Sequence, residues 1–223
     1  MRDIQDILID IYIGRNPQDL RLLADGFTKL GASISTITNY ADSEELKMAL
    51  GIVSEINRPD TTVPVDTARV YHDVEILIST LSATFPRSSD LFNILLRRSD
   101  THISQMALHY QMKVGQPLDK AIRKNLNISP MANKIAVHAV RTASNITYRD
   151  CMLLRDALGH NNILGGLSKK KLAIRACRMH KFTQHWKQIK ADYLGMTGKE
   201  FVEKMRNSLS GVFGELMTAM AMV

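Results

Sequence analysis

Three consecutive lysines, Lys169, Lys170 and Lys171, follow two glycines, Gly165 and Gly166, in the stretch "LGGLSKKK". Paired glycines let backbone polar groups approach a ligand closely, and adjacent ammonium groups attract anions such as phosphate. Other groups able to do chemistry are sparse. His180 and His185 are five residues apart, off a shared helix face, so they make a poor metal pair. Cys151 and Cys177 lack CxxC spacing, which points away from a zinc site or a disulfide framework and sets a reducing, cytosolic compartment as the expectation. No GxSxG, HExxH, GxxxxGK[ST] or GxGxxG stretch occurs. The expectation is a binding protein with no catalytic residues, not an enzyme.

The chain has 223 residues, 45% of them apolar, with 12 Gly and 6 Pro. That length allows one large or two small cores, and so few turn-formers disfavour an all-β fold. No apolar run reaches the ~18–20 residues needed to span a bilayer, and "MRDIQDILID" places acids where a signal peptide has its apolar core. Net charge is +7 and the pI about 9.5. A basic surface suits anionic partners, whether lipid head groups or nucleic acid.

The elements that must position these groups repeat. Phe27, Tyr110 and Tyr193 stand 83 residues apart, as do Leu8, Leu91 and Ile174, then Leu20, Ile103 and Trp186, then Leu23, Met106 and Ile189. Gly31, Gly115 and Gly198 follow each aromatic by four or five residues, and "DVEILISTLSA" from Asp73 matches "DCMLLRDALGH" from Asp150. Apolar matches sustained over two periods mark tandem structural repeats. Within each repeat the i, i+3, i+4, i+7 pattern of Ile103, Met106, Ala107, Tyr110 and Val114 is helical. "NP" at Asn16 and "SP" at Ser129 read as a cap before a proline at the first helical position. "DSEE" from Asp42 and "TGKE" from Thr197 read as capping boxes. The predicted organisation is a partial repeat over 1–56, a polar linker over 57–66 ("NRPDTTVPVD"), and full five-helix repeats over 67–144 and 145–223. The first repeat lacks its leading helix.

Five short helices per unit, in tandem, resembles the annexin family. The stretch "NILLRRSDTHISQMALHYQMKVGQPLDKAI" looks like the second-to-fourth helix signature of an annexin repeat. "RDCMLLRDAL" with "RACRMHKFTQHWKQIKADY" is similar to the last repeat, including its Arg-x-His turn at Arg178 and His180. "NRPDTTVPVDTARVYHDVEIL" is similar to the linker between the second and third repeats of fungal annexins. The likeness covers essentially the whole chain but about three of the usual four repeats. It implies an all-α curved disc whose loops between first and second, and fourth and fifth, helices share one face. In the family those loops hold calcium, which bridges to anionic phospholipid.

The calcium pattern is broken here. A hard cation takes about six to eight oxygens, a carboxylate among them. In the second repeat the loop reads "TFPRSSD", with Ser88 and Ser89 where the family has glycines, and the capping position falls at Asn125. In the third, Gly165 and Gly166 remain but lysines follow, and the capping position lies at Asn207 or its neighbour Ser208. No metal ligand set is assigned; calcium enters only as a weak site built from carbonyls and water. On the family's geometry Arg87, Lys124, Lys169, Lys170, Lys171 and Arg206 lie near one face, where they could meet anionic lipid directly.

Two classes of function follow: a cytoplasmic, peripheral phospholipid-binding protein with reduced or lost calcium dependence, and a helical scaffold for protein partners. Nucleic acid is disfavoured because the aromatics read as buried. Without a leading helix in the first repeat, Ile4, Leu8 or Ile11 is expected to be partly uncovered, which favours self-association.

Overall fold

The computed structural model describes residues 2–159, 168–180 and 182–222. All of the regular structure among them is helical, and the chain divides into two compact units, Met1–Ser144 and Asn145–Val223.

The first unit opens with α1 (Arg2–Tyr12), α2 (Pro17–Lys29), a 3-10 helix (Ile34–Tyr40) and α3 (Glu44–Ser54). It continues with α4 (Thr67–Ser82), α5 (Ser88–Leu95), α6 (Asp100–Val114), α7 (Leu118–Lys124) and α8 (Pro130–Ser144). Side-chain caps begin most of these helices, each satisfying an amide that the helix itself cannot. Asn16 accepts from the Asp19 amide at 2.7 Å, Ser99 from His102 at 3.2 Å and Ser129 from Ala132 at 3.2 Å. The predicted cap at Asp42 is displaced by one residue. Ser43 accepts from the Leu46 amide at 3.1 Å, while the Asp42 backbone amide donates to Gln5 Oε1 at 3.0 Å. "TGKE" is not a capping box either. Thr197 closes the preceding helix by donating to the Tyr193 carbonyl at 2.8 Å, and the true N-cap, Glu200, makes no side-chain cap bond.

The second unit comprises α9 (Ile146–Ala157), α10 (Lys169–His180), α11 (Thr183–Thr197), α12 (Phe201–Ser208) and α13 (Gly211–Met222). Its core closes on aromatics. Trp186 and Tyr193 meet Phe201 edge-on at 5.6 and 5.1 Å, and His180, at the end of α10, lies edge-on to Trp186. Gly115 and Gly198 take left-handed backbone at the C-caps of α6 and α11 (φ +80° and +66°), a conformation that costs other residues about 1–2 kcal/mol.

Repeat-equivalent positions are not equally buried. Met106 and Tyr110 on α6, and Ile189 and Tyr193 on α11, are buried, whereas Leu23 and Phe27 on α2 are half-buried. α4 packs on α6 and α9 on α11, whereas the helical contact that α2 makes is with the 3-10 helix. On α1, Ile4 is exposed and Leu8 and Ile11 are half-buried.

Within the 57–66 linker, Val65 packs against the core and one arginine makes several polar contacts. Arg58, almost entirely buried, donates to the Arg98 carbonyl at 2.6 Å and the Arg15 carbonyl at 3.2 Å, and pairs with Asp100.

Candidate functional site

The sequence pointed to the corners where the first and second, and the fourth and fifth, helices of a repeat meet. Within the first unit these expectations fall on the α4–α5 loop (83–87) and the α7–α8 loop (125–129). The second of these is tied to the last turn of α4 by the side chain expected to be a degenerate cation ligand. Asn125 donates its Nδ2–H to the carbonyl of Leu81, at the end of α4, at 2.7 Å. Its Oδ1 accepts from the Asn127 amide at 2.9 Å. Both ends of the amide are therefore engaged. The α7–α8 loop is fixed further by Asn133, which donates to the Ile122 carbonyl at 2.6 Å.

Arg87 is the N-cap residue of α5, exposed and making no side-chain capping bond. Ser88 and Ser89 are half-buried in the first turn of that helix, and Ser89 Oγ reaches Asp90 at 3.4 Å. Lys124, with Arg123 before it, ends α7; both are exposed. Cations at a helix C-terminus are favoured by its dipole. Glu45, in the first turn of α3, is held below the usual carboxylate range by a hydrogen bond from Ser129 of the same α7–α8 loop, with its own backbone amide adding to the effect.

These donors do not fit a tightly held calcium ion. Such an ion needs a carboxylate opposite the loop carbonyls, and here an amide N–H points at a carbonyl. Among the described residues no group of three His, Cys, Asp or Glu is placed to hold a metal.

In the second unit Gly165 and Gly166 lie outside the described residues. Lys169 and Lys170 are exposed in the first turn of α10, an end of the helix whose dipole disfavours cations. The Lys169 ammonium sits 5.8 Å from the ring centroid of Phe213, in the first turn of α13, so the first turns of α10 and α13 are joined by a cation–π contact. Arg206 and Asn207 are exposed near the end of α12, with Ser208 half-buried beside them. Lys171 departs from expectation. It is buried, its Nζ 3.9 Å from Asp156 and beside Arg175, which reaches the same carboxylate at 3.3 Å. Successive residues turn about 100° around a helix, so three adjacent lysines cannot share one face. Lys171 therefore drops out of the candidate surface.

Sequence reasoning missed three features. Phe85 and Leu126 are almost fully exposed in the α4–α5 and α7–α8 loops; apolar residues among Thr, Pro, Asn and Ser were the available signal. Each unit also holds an Asp–His contact: Asp73 with His102, both buried, at 2.9 Å, and the buried Asp150 with the half-buried His185 at 2.8 Å. Asp73 additionally accepts from Arg98 at 2.6 and 3.1 Å. Burial pushes the Asp73 carboxyl up, but Arg98 and His102 outweigh it and the net shift is downward. Burial is also the largest influence on His102, which is held below its ordinary value against the upward pull of Asp73.

No protein-family model matches the chain, and no curated protein sequence is similar to it. Solved structures are similar. A variant of annexin A8 superimposes with a TM-score of 0.84, 17% identity, and coverage of 97% of this chain and 66% of that one. Chicken annexin V matches at 0.79 with 15% identity, covering 97% and 66%. Calcium-bound α-14 giardin matches at 0.79 with 15% identity, covering 97% and 70%. The chain thus spans just under two thirds of the length of those two annexins. What these likenesses establish is the fold, an all-helical annexin-like repeat.

Proposed function

We propose that the protein is a peripheral phospholipid-binding protein of annexin type whose loop pairs bind anionic lipid through lysine and arginine, with little or no need for calcium. The observation that carries this reading is the Asn125–Leu81 bond. It ties the α7–α8 loop to the last turn of α4, beside the α4–α5 loop, through an uncharged amide in place of a carboxylate. Around that bond Arg87, Arg123 and Lys124 are exposed. Lys169, Lys170 and Arg206 supply the corresponding charges in the second unit. Each basic residue near an anionic membrane contributes about 1 kcal/mol, so a handful suffices for reversible attachment. Repeats over 1–56, 67–144 and 145–223, joined by the 57–66 linker, belong to the same reading.

Co-sedimentation tests it. The chain should pellet with phosphatidylserine vesicles in chelator and not with phosphatidylcholine vesicles, and replacing Arg87 and Lys124 by Gln should weaken the pellet. Pelleting only when calcium is added would refute calcium independence.

A second reading, a helical scaffold for protein partners, draws on one observation. The half-buried Leu8, Leu23 and Phe27 leave an apolar face on α1 and α2 that another polypeptide could cover.

A further inference from the structure

Leu126 and Phe85 are the two most exposed large apolar side chains among the described residues, at 96% and 88%. Single exposed apolar residues need no explanation. Phe85 stands on the α4–α5 loop and Leu126 on the α7–α8 loop, and the Asn125–Leu81 bond ties the latter to the last turn of α4, four residues before Phe85. The α7–α8 loop sorts its apolar residues sharply: Ile128 is buried while Leu126, two residues earlier, faces solvent. Neither loop is loose. Backbone bonds from Ala83 to Thr80 and from Asp90 to Arg87 bracket Phe85, and Asn125 and Asn133 fix the other loop. Both apolar side chains are therefore held outward by ordered backbone.

Their surroundings are cationic. Arg87 lies two residues from Phe85, and Arg123 and Lys124 just before Leu126. None of the three is in an ion pair among those of the described residues, and the adjoining acid, Asp90, is half-buried. The second unit repeats the arrangement: Val212, in the first turn of α13, is 82% exposed next to Phe213, over which Lys169 sits.

We propose that Phe85 and Leu126 insert into the acyl region of an anionic bilayer while Arg87, Arg123 and Lys124 engage the phosphate layer above it. The inference rests on the membrane reading above and deepens it, by naming a hydrophobic anchor that works without a metal ion. Convex apolar tips ringed by cations match a phase that is anionic on top and apolar below. Such a phase needs no shape complementarity, whereas a stable protein interface needs about 1,000 Å² of fitted surface.

The test uses the whole chain in chelator with mixed phosphatidylserine–phosphatidylcholine vesicles. In Phe85→Trp the new indole should shift to the blue on vesicle addition and be quenched by lipids brominated on the acyl chains; Trp186, being buried, supplies a constant background. Phe85→Ser with Leu126→Ser should lower vesicle partitioning by about tenfold or more while leaving the helical circular dichroism intact. Changing Arg87, Arg123 and Lys124 together to Gln should lower it by about a hundredfold. If Phe85→Trp binds vesicles with unshifted, unquenched emission, the tips stay in water and the insertion fails while the membrane reading stands. No partitioning with or without calcium defeats the membrane reading itself. If the serine pair leaves partitioning unchanged but dissociates a dimer in light scattering, the tips form a protein contact and the inference is overturned.

Discussion

Replacing Asn125 by Asp exchanges a donor for a second acceptor at the point where the α7–α8 loop meets the end of α4. Asn125 Nδ2 lies 2.7 Å from the Leu81 carbonyl, so a carboxylate oxygen placed there would face that oxygen with no proton between them. Losing the bond costs about 1 kcal/mol, and setting like partial charges against each other in a half-buried site brings the total to about 2 kcal/mol. For a unit of this size that is a fall in melting temperature of about 6 °C. The same carboxylate would restore the missing calcium ligand. With a weak site of Kd about 1 mM, calcium at about 10 mM returns roughly 1.4 kcal/mol. Differential scanning calorimetry of wild type, Asn125→Asp and Asn125→Ala, each in chelator and in calcium, reads all of this. The expected pattern is a calcium response in Asn125→Asp alone. A wild type that gains stability from calcium, or an Asn125→Asp as stable as wild type in chelator, would refute the claim that the amide stands in for the ion.

Three further outcomes are expected. His102 and Asp73 both have folded-state values below their ordinary ones of 6.5 and 3.8, so the unfolded chain binds more protons and stability falls with acid. The His102 share is fully present above about pH 6.5 and lost as pH falls through its lower folded value, and the Asp73 share is lost below about pH 4. In a melting-temperature profile His102→Gln should flatten the first stage, and an unchanged slope would contradict the assignment. Arg58→Ala strips two backbone carbonyls and Asp100 of a nearly buried partner, which should cost about 3 kcal/mol or more in urea unfolding and open the 57–66 linker to protease. Finally, the half-buried face of α1 and α2 should make the chain self-associate with rising concentration in light scattering; a strict monomer that binds no hydrophobic dye would contradict this.

Much of the fold was legible in the sequence because burial is periodic. Ile103, Met106 and Tyr110 recur as Trp186, Ile189 and Tyr193 since the same helix must be covered in the same way in each full repeat. The helix stops at Gly115 and Gly198 were legible because their backbone is left-handed there. What periodicity does not encode is which partner a polar side chain finds across the fold. Arg58 meets Arg98 and Asp100 some forty residues away, and Asp73 meets His102 from a neighbouring helix. Caps were read to within a residue at Ser43 and misread at Thr197, where a hydroxyl that bonds backward to Tyr193 resembles one that bonds forward. At the candidate corners the residue types were legible and their orientation was not. Lys171 turns inward because the helix rotates, and the outward Phe85 and Leu126 depend on loops fixed by contacts distant in sequence.

The partition coefficient of the unaltered chain onto phosphatidylserine-containing vesicles, measured in chelator and again in millimolar calcium, tests the central claim most directly. Two values that agree within about twofold, each falling as added salt screens the cationic corners, are what this account predicts. Partitioning that appears only with calcium would contradict it.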